Sequence, residues 1–384
     1  MKMNDKGILP QQQGELTRAK QAGALHHFIV GEMILDKSLP ALDVANICSL
    51  VSAEVESIEA FHFTLQKAEE KWRLQPVELA SDCVLVRTRP TQETATRSEQ
   101  DSPISLLKAL LSSDTCLHDA VIEVHMTEDS RINITAVFSP WLTDPKGLDI
   151  FLKKLQATIE DHHLSRQVEN EQTHEVVSFE EYVQWQWDIL ELEEAQIGQQ
   201  FWKQQLRKGR NAQVIPWFNN ISRTEASSFE VQEVIQTLPQ SLLEKIDAYV
   251  SKHRVSHAAL FLSCWALLQS RITQESNFLT HVRVNGREDS DLEAFIGPCD
   301  TVVPVAINIK QNAPFIQNIK DVEDALTEAG EWQECLDFLD IQELPSLFSY
   351  SDSAFVNAEN ADGLPGCSLP RHLSCFSSVD RGLI

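Results

Sequence analysis

The sequence is short of positive charge, of closely spaced metal ligands and of long apolar runs. Its 32 Lys and Arg face 57 Asp and Glu, for a net charge of −25. A surface this acidic repels phosphate backbones, which argues against nucleic-acid binding and for partners that are neutral or locally basic. The longest strongly apolar run, Ala258–Leu268, is too short to span a bilayer, so no membrane partner is expected. The N-terminal stretch MKMNDKGILPQQQGELTRAKQ has no apolar signal core, and secretion is not indicated. None of the eight cysteines (Cys48, Cys83, Cys116, Cys264, Cys299, Cys335, Cys367 and Cys375) forms a C-x-x-C pair. That scatter reads as the reduced, buried cysteine of a cytoplasmic protein, not as a disulfide frame or a zinc site. The chain also has no G-x-S-x-G, no Walker loop, no G-x-G-x-x-G and no H-E-x-x-H, so the chemistry those strings carry is not signalled.

What is present is a chain of 384 residues with 42% hydrophobic residues, enough for two domains or two halves of a pseudo-symmetric one. Extended HHFIVGEMIL precedes a helical spacing over Pro40–Ile58. FHFTLQ, WRLQPVEL and DCVLVRT read as strands, Thr91–Ser102 as an exposed loop and Ile104–Leu111 as a short helix. AVIEVHMT and INITAVFS form a hairpin over EDSR, and Leu148–Ile159 follows as a helix with Leu148, Phe151, Leu152, Leu155 and Ile159 on one face. Ser165–Val177 is polar and linker-like, and one long helix rich in aromatics and acids is expected over Phe179–Leu206. Beyond it, FEVQEVIQTL alternates like a strand, and helices are predicted from Gln240 to Lys252 and from Ser256 to Ile272, with Ser256 as N-cap of the second. FLTHVRVN is a strand and NGREDSDLEAFIGPCDTVVPVAIN alternates loop and strand. Two mixed α/β halves joined by a helix fit this order.

The adjacent histidines invite a general-base reading. His162–His163, however, fall at a helix end, where imidazoles face the negative pole of the dipole, and His26–His27 read as a strand edge. In FSPWLTDPKGL, Phe138–Leu148, Asp144 followed by Pro145 is an ordinary helix start, with the Asp as N-cap and the Pro in the first turn.

Several ordered stretches carry a resemblance. FEEYVQW (Phe179–Trp185) and FWKQQL (Phe201–Leu206) resemble the linker-helix motif of the condensation domains of nonribosomal peptide synthetases. VRVNGREDSDLEAFIG (Val282–Gly297) looks like that family's Gly-Arg loop, acidic stretch and Ile-Gly. EWQE (Glu331–Glu334) with LDIQELPSLFSYSDSAF (Leu339–Phe355) is similar to its Gln-acid motif and later strand entry, and ELTRAKQAGALHHF weakly resembles its first motif. The match runs over roughly residues 15–355 and rests on order and spacing.

The resemblance implies a fold of two chloramphenicol-acetyltransferase-like α/β halves forming a V-shaped pseudo-dimer. The implied division is 1–165 for the N-terminal half, 166–210 for the linker and bridging helix, and 211–384 for a shortened C-terminal half. It implies acyl transfer between groups carried as phosphopantetheine thioesters on peptidyl or acyl carrier domains, beside neighbouring synthetase domains and with no bound cofactor or metal. The family's His-His-x-x-x-Asp-Gly signature overlays on FSPWLTDPKGL with the first His at Ser139, the second at Pro140, the Asp at Asp144 and the Gly at Pro145. The second His is the implied general base, and proline has no nitrogen lone pair to take that role. The Asp is implied to be structural and to pair with an Arg across the cleft; Arg287 is the candidate, in a buried Asp144–Arg287 pair. The Asp-x-x-x-x-Asp of the cyclising branch is absent too, because its first position is Ser139. The family's His-Glu-x-Leu-Arg segment falls near EVESIEAF (Glu54–Phe61), with an acid where Arg is expected, and the Phe-Val-Asn-Thr region reads CDTV or nearby. Members of that family run on through further strands and a helix, so a chain ending at Ile384 is expected to be a piece of a larger synthetase or a shortened domain.

Three functions stay open on these residues. The leading one is a platform for carrier or partner domains that no longer forms amide bonds by the general-base route. The second is an active acyltransferase or modifying enzyme on a tethered thioester, working through positioning and a residue such as Ser139. The third is a stand-alone acyltransferase using a CoA thioester.

Overall fold

The computed structural model describes residues 8–10, 27–35, 43–68, 71–88, 119–127, 131–163, 177–209, 236, 238–336, 347–350, 367–368 and 374–377. The expected loop at 91–102, the helix at 104–111, nearly all of the linker at 165–177 and most of the strand at 229–238 lie outside the described residues, as do His26 and Cys116. The chain forms two compact units. One comprises Met1–Asp188, Asn285–Asp300 and Ser351–Asp380; the other comprises Ile189–Val284, Thr301–Tyr350 and Arg381–Ile384.

The first unit is built on one mixed sheet. Strand β1 (His27–Leu35) is followed by helix α1 (Val44–Glu56), the hairpin β2 (Phe63–Ala68) and β3 (Lys71–Pro76), then β4 (Val84–Thr88), β5 (Ala120–Met126), β6 (Ile132–Phe138) and helix α2 (Pro145–His163). β6 lies between β1 and β5, antiparallel to both, and β4 joins β5 in parallel. Register puts Ile29, Gly31 and Met33 beside Phe138, Ala136 and Ile134, and these beside Ala120, Ile122 and Val124. That face is almost wholly buried, and α2 packs on it. At Gly31 a Cβ would stand 2.9 Å from Leu152 and 3.0 Å from Leu148, so the missing side chain is what lets α2 approach. The five apolar residues expected on one face of α2 (Leu148, Phe151, Leu152, Leu155 and Ile159) are all buried against this sheet. His162 stands exposed in the helix's last turn, as the dipole favours. On α1, Asp43 caps the start by accepting from Asn46 N–H at 2.7 Å, while Ile47, Val51 and Val55 face inward.

The single long helix expected over Phe179–Leu206 is two: α3 (Phe179–Glu191) and α4 (Ala195–Gly209). Short-range bonds close the intervening turn, from Leu192 N–H to Ile189 O and from Ala195 N–H to Leu192 O. Two causes lie in the residues. Glu191, Glu193 and Glu194 crowd negative charge at the negative end of α3. The two helices also serve different cores: Phe179, Tyr182 and Val183 belong to the first unit's cluster, and Ala195 and Trp202 to the second's. A 3.6-residue period continues through such a break and does not reveal it.

The second unit carries α4, α5 (Gln240–His253), α6 (His257–Thr273), β7 (Asn277–Val284), β8 (Thr301–Asn308), α7 (Phe315–Glu331) and the short β9 (Leu347–Phe348). β7 pairs antiparallel with β8 and parallel with β9. Phe278, Val282, Val303, Val305 and Ile307 form its core with Ala259, Leu262, Ile319 and Val322. The Trp202 indole N–H donates to Trp332 O at 2.6 Å, fastening α4 to the turn after α7. Ser256 caps α6 as expected, accepting from Ala259 N–H at 3.0 Å. Replacing it with alanine is expected to cost about 1 kcal/mol. Urea unfolding checks this: the midpoint drops for Ser256→Ala and is nearly restored for Ser256→Asp.

Two further short strands, β10 (Cys367–Ser368) and β11 (Ser374–Ser377), add antiparallel to β1 in the first unit. Among the described residues no helix is long and apolar enough to cross a membrane, and no group of three or more His, Cys, Asp and Glu side chains is placed to hold a metal ion. Cys48, Cys83, Cys264, Cys299 and Cys335 are free thiols.

Candidate functional site

The loop from β6 to α2 is a tight turn followed by a capped helix. Ser139 N–H donates to Asp119 O at 2.9 Å, continuing the strand, and Leu142 N–H donates to Ser139 O at 3.1 Å, closing a turn with Pro140 in its second position. That position suits the fixed φ of proline. Asp144 then opens α2. Its Oδ1 accepts from Gly147 N–H at 2.6 Å, and its carbonyl accepts the first helical bond from Leu148 at 2.9 Å. The N-cap role read from the sequence is therefore present in full.

Asp144 does more than cap. Arg287 donates to it through both terminal nitrogens, Nη1 to Oδ2 at 2.6 Å and Nη2 to Oδ1 at 2.9 Å. Backbone N–H groups of Cys299 and Asp300 also donate to Oδ2, at 2.8 and 2.9 Å. The Arg287 and Asp144 side chains are 2% and 0% exposed. A carboxylate so enclosed is tolerable only because donors surround it. Arg287 Nη2 additionally donates to Gly297 O at 2.9 Å and to Phe295 O at 3.3 Å. Burial alone would push the guanidinium pKa down; the Asp144 charge and hydrogen bonds, together with the neighbouring Cys299 and Asp300, outweigh it, and the pKa lies above its usual value.

Two protonated neighbours complete the cluster. Burial pushes the Cys299 thiol up to about 12, with the Arg287 charge pulling the other way. Burial, then the adjacent Cys299, raises the Tyr182 phenol well above its ordinary value. Tyr182 also packs on Phe295, ring centroids 4.9 Å apart. Tyr182 lies in FEEYVQW and Phe295 in the Gly-Arg stretch, so two separately recognised stretches meet at the Asp144 loop.

All of this lies within the first unit. Asn285–Asp300, which links β7 to β8, belongs to it although both strands belong to the second. Sequence reasoning named Asp144 and Arg287 but placed their contact between halves; the pair instead anchors a crossing segment inside one unit. Sequence reasoning missed Cys299, Asp300 and Gly147, because they act through backbone N–H groups that residue identity does not advertise. Their one legible signal is the Gly three residues after a capping Asp.

In chemical terms the cluster is built to hold the loop and the crossing segment together. Asp144 is saturated by hydrogen bonds, Cys299 and Tyr182 are held protonated, and Pro140 has no proton to give or take. Ser139 is buried, at 2% exposure. In EVESIEAF, Glu54 takes a structural part: it pairs with Lys154 Nζ at 2.7 Å and accepts from the Thr158 hydroxyl at 2.9 Å, joining α1 to α2.

The chain belongs to the condensation domain family: the sequence model of the Condensation domain matches residues 8–346. Bacitracin synthase 3 of Bacillus licheniformis is 21% identical over 175 residues, which cover 45% of this chain and 3% of that much longer protein. Among solved structures, the X-domain from teicoplanin biosynthesis superposes with a TM-score of 0.66 at 16% identity, covering 90% of this chain and 75% of that one. The same X-domain in complex with OxyB gives a TM-score of 0.60 at 14% identity, covering 90% and 77%. The condensation domain of the Monacolin K polyketide synthase MokA gives 0.67 at 12% identity, covering 89% and 80%. At these identities the likeness establishes the α/β, acyltransferase-like fold.

Proposed function

We propose that this chain is a condensation-domain module of a nonribosomal peptide or hybrid peptide–polyketide assembly line that has set aside general-base amide formation and serves as a docking platform. Its partners are peptidyl or acyl carrier domains bearing phosphopantetheine thioesters, and the neighbouring synthetase domains, in the cytoplasm. The observation that carries this reading is Pro140, at the motif position of the base, in a loop that otherwise keeps its strand, turn and capped helix. Removing a general base costs about two to four orders of magnitude in rate, while positioning of two bound groups survives. The intact Asp144–Arg287 cluster supports a scaffold kept for binding. A protein of the same fold, the teicoplanin X-domain, has a solved structure in complex with OxyB, which gives the platform role a precedent.

The test incubates the chain with loaded donor and acceptor carrier domains and follows both by intact-protein mass spectrometry, with carrier binding measured in parallel. Carrier binding without a condensed product is expected. A condensed product lost in Ser139→Ala would overturn the reading in favour of an acyltransferase working from Ser139. Transfer from a CoA thioester with no carrier present would point to the stand-alone enzyme.

A further inference from the structure

Helix α6 contains the longest strongly apolar run in the chain and is apolar on more than one side. Its inner side, with Ala259, Leu262 and Ala266, is buried in the core of the second unit. Phe261, Cys264, Leu268 and Arg271 follow one another at three-, four- and three-residue steps, so they share a second side. Along it Phe261 is half-buried, Cys264 and Arg271 are exposed, and Leu268 is 49% exposed. A helix that is apolar all round is ordinarily buried, and an apolar stripe left in water marks a contact surface.

Charge and spacing narrow what fits this stripe. The chain carries −25 overall, yet α6 has Arg271 and no Asp or Glu. Helix α5 and its connection to α6 add Lys245, Lys252 and Arg254 against Glu244 and Asp247, so the pair of helices is net positive. Two copies of so acidic a chain repel each other in general; at this face that repulsion is missing. The stripe is also self-complementary, because its spacing reads the same in both directions about Ala266. An antiparallel copy crossing there sets each Leu268 against the partner's Cys264 and each Arg271 against the partner's Phe261. Tyr350 packs on Phe261, ring centroids 6.0 Å apart, so the guanidinium meets a broad aromatic face. The two arginines then stand about 15 Å apart along the helices, too far to oppose the contact strongly.

We infer that this stripe is the contact of a two-fold homodimer, with α6 of one copy packed antiparallel on α6 of the other. Such a contact uses one patch twice and closes on itself. It lies wholly within the second unit and is independent of the carrier-platform reading.

Sedimentation velocity on the full chain over the micromolar range tests it, with a short bismaleimide added to link Cys264 to its copy. A concentration-dependent dimer is expected, crosslinked in the wild type and not in Cys264→Ser. Leu268→Glu should weaken the dimer about a hundredfold, since it places two carboxylates in the contact, and leave the circular dichroism of the monomer unchanged. Leu268→Ala, which only removes apolar area, should weaken it less. A monomer at every concentration, or a dimer that survives Leu268→Glu, overturns the inference. A dimer without the Cys264 crosslink overturns the antiparallel arrangement. A monomer that binds a loaded carrier domain, with that binding lost in Leu268→Glu, assigns the face to the carrier, overturns the dimer and leaves the platform reading standing.

Discussion

Arg287→Ala is expected to destabilise the chain by about 3–5 kcal/mol, because it strands Asp144 as a buried carboxylate without its counter-charge. The remaining donors, from Gly147, Cys299 and Asp300, reduce that penalty without cancelling it. Deleting both partners should cost less than the sum of the single changes, since the double variant leaves no orphaned charge. Arg287→Lys keeps the charge and loses the fork that engages both carboxylate oxygens as well as the bonds to Phe295 O and Gly297 O. It should fall between wild type and Arg287→Ala. Urea unfolding of wild type, Arg287→Ala, Asp144→Ala, the double variant and Arg287→Lys checks the order. A double variant as unstable as the two single changes combined would show that the pair's members act independently.

Gly286→Ala should cost about 2–5 kcal/mol, from two separate causes. Gly286 has φ +68°, where a side chain is disfavoured by about 1–2 kcal/mol. A Cβ there would also lie 2.0 Å from Cys299 O, a backbone atom, and overpacking of this kind adds about 1–3 kcal/mol. The clash does not stay local, because Cys299 N–H is one of the donors to Asp144. The same substitution should therefore loosen the Arg287–Asp144 cluster and speed amide exchange at Cys299 and Asp300. An Ala variant with wild-type unfolding and exchange would refute the strain assigned to this turn.

Much of the fold was legible in local pattern. The inner face of α2, the β5–β6 hairpin, the Ser256 cap and the Asp144 cap all follow from spacing and residue type, which act over a few residues. The division of the bridging helix did not follow. Its apolar period runs on through Leu192–Glu194, and the break shows only where α3 and α4 turn to pack against two different cores.

The site divides in the same way. Arg287 was nameable as a partner for Asp144 from the order of motifs, although 143 residues separate them. Cys299, Asp300 and the Tyr182 phenol could not be read in advance, because what they offer Asp144 and each other depends on where the Asn285–Asp300 crossing is seated. The sequence by itself determined that a strand, a proline turn and a capped helix follow one another around Ser139–Asp144, since those features are set by side chains a few residues apart. The tertiary structure alone decided that the backbone amides of Cys299 and Asp300, more than 150 residues on, join Arg287 in saturating Asp144, and that Ser139 is buried. Burial and long-range hydrogen bonding depend on chain crossings that no local spacing encodes.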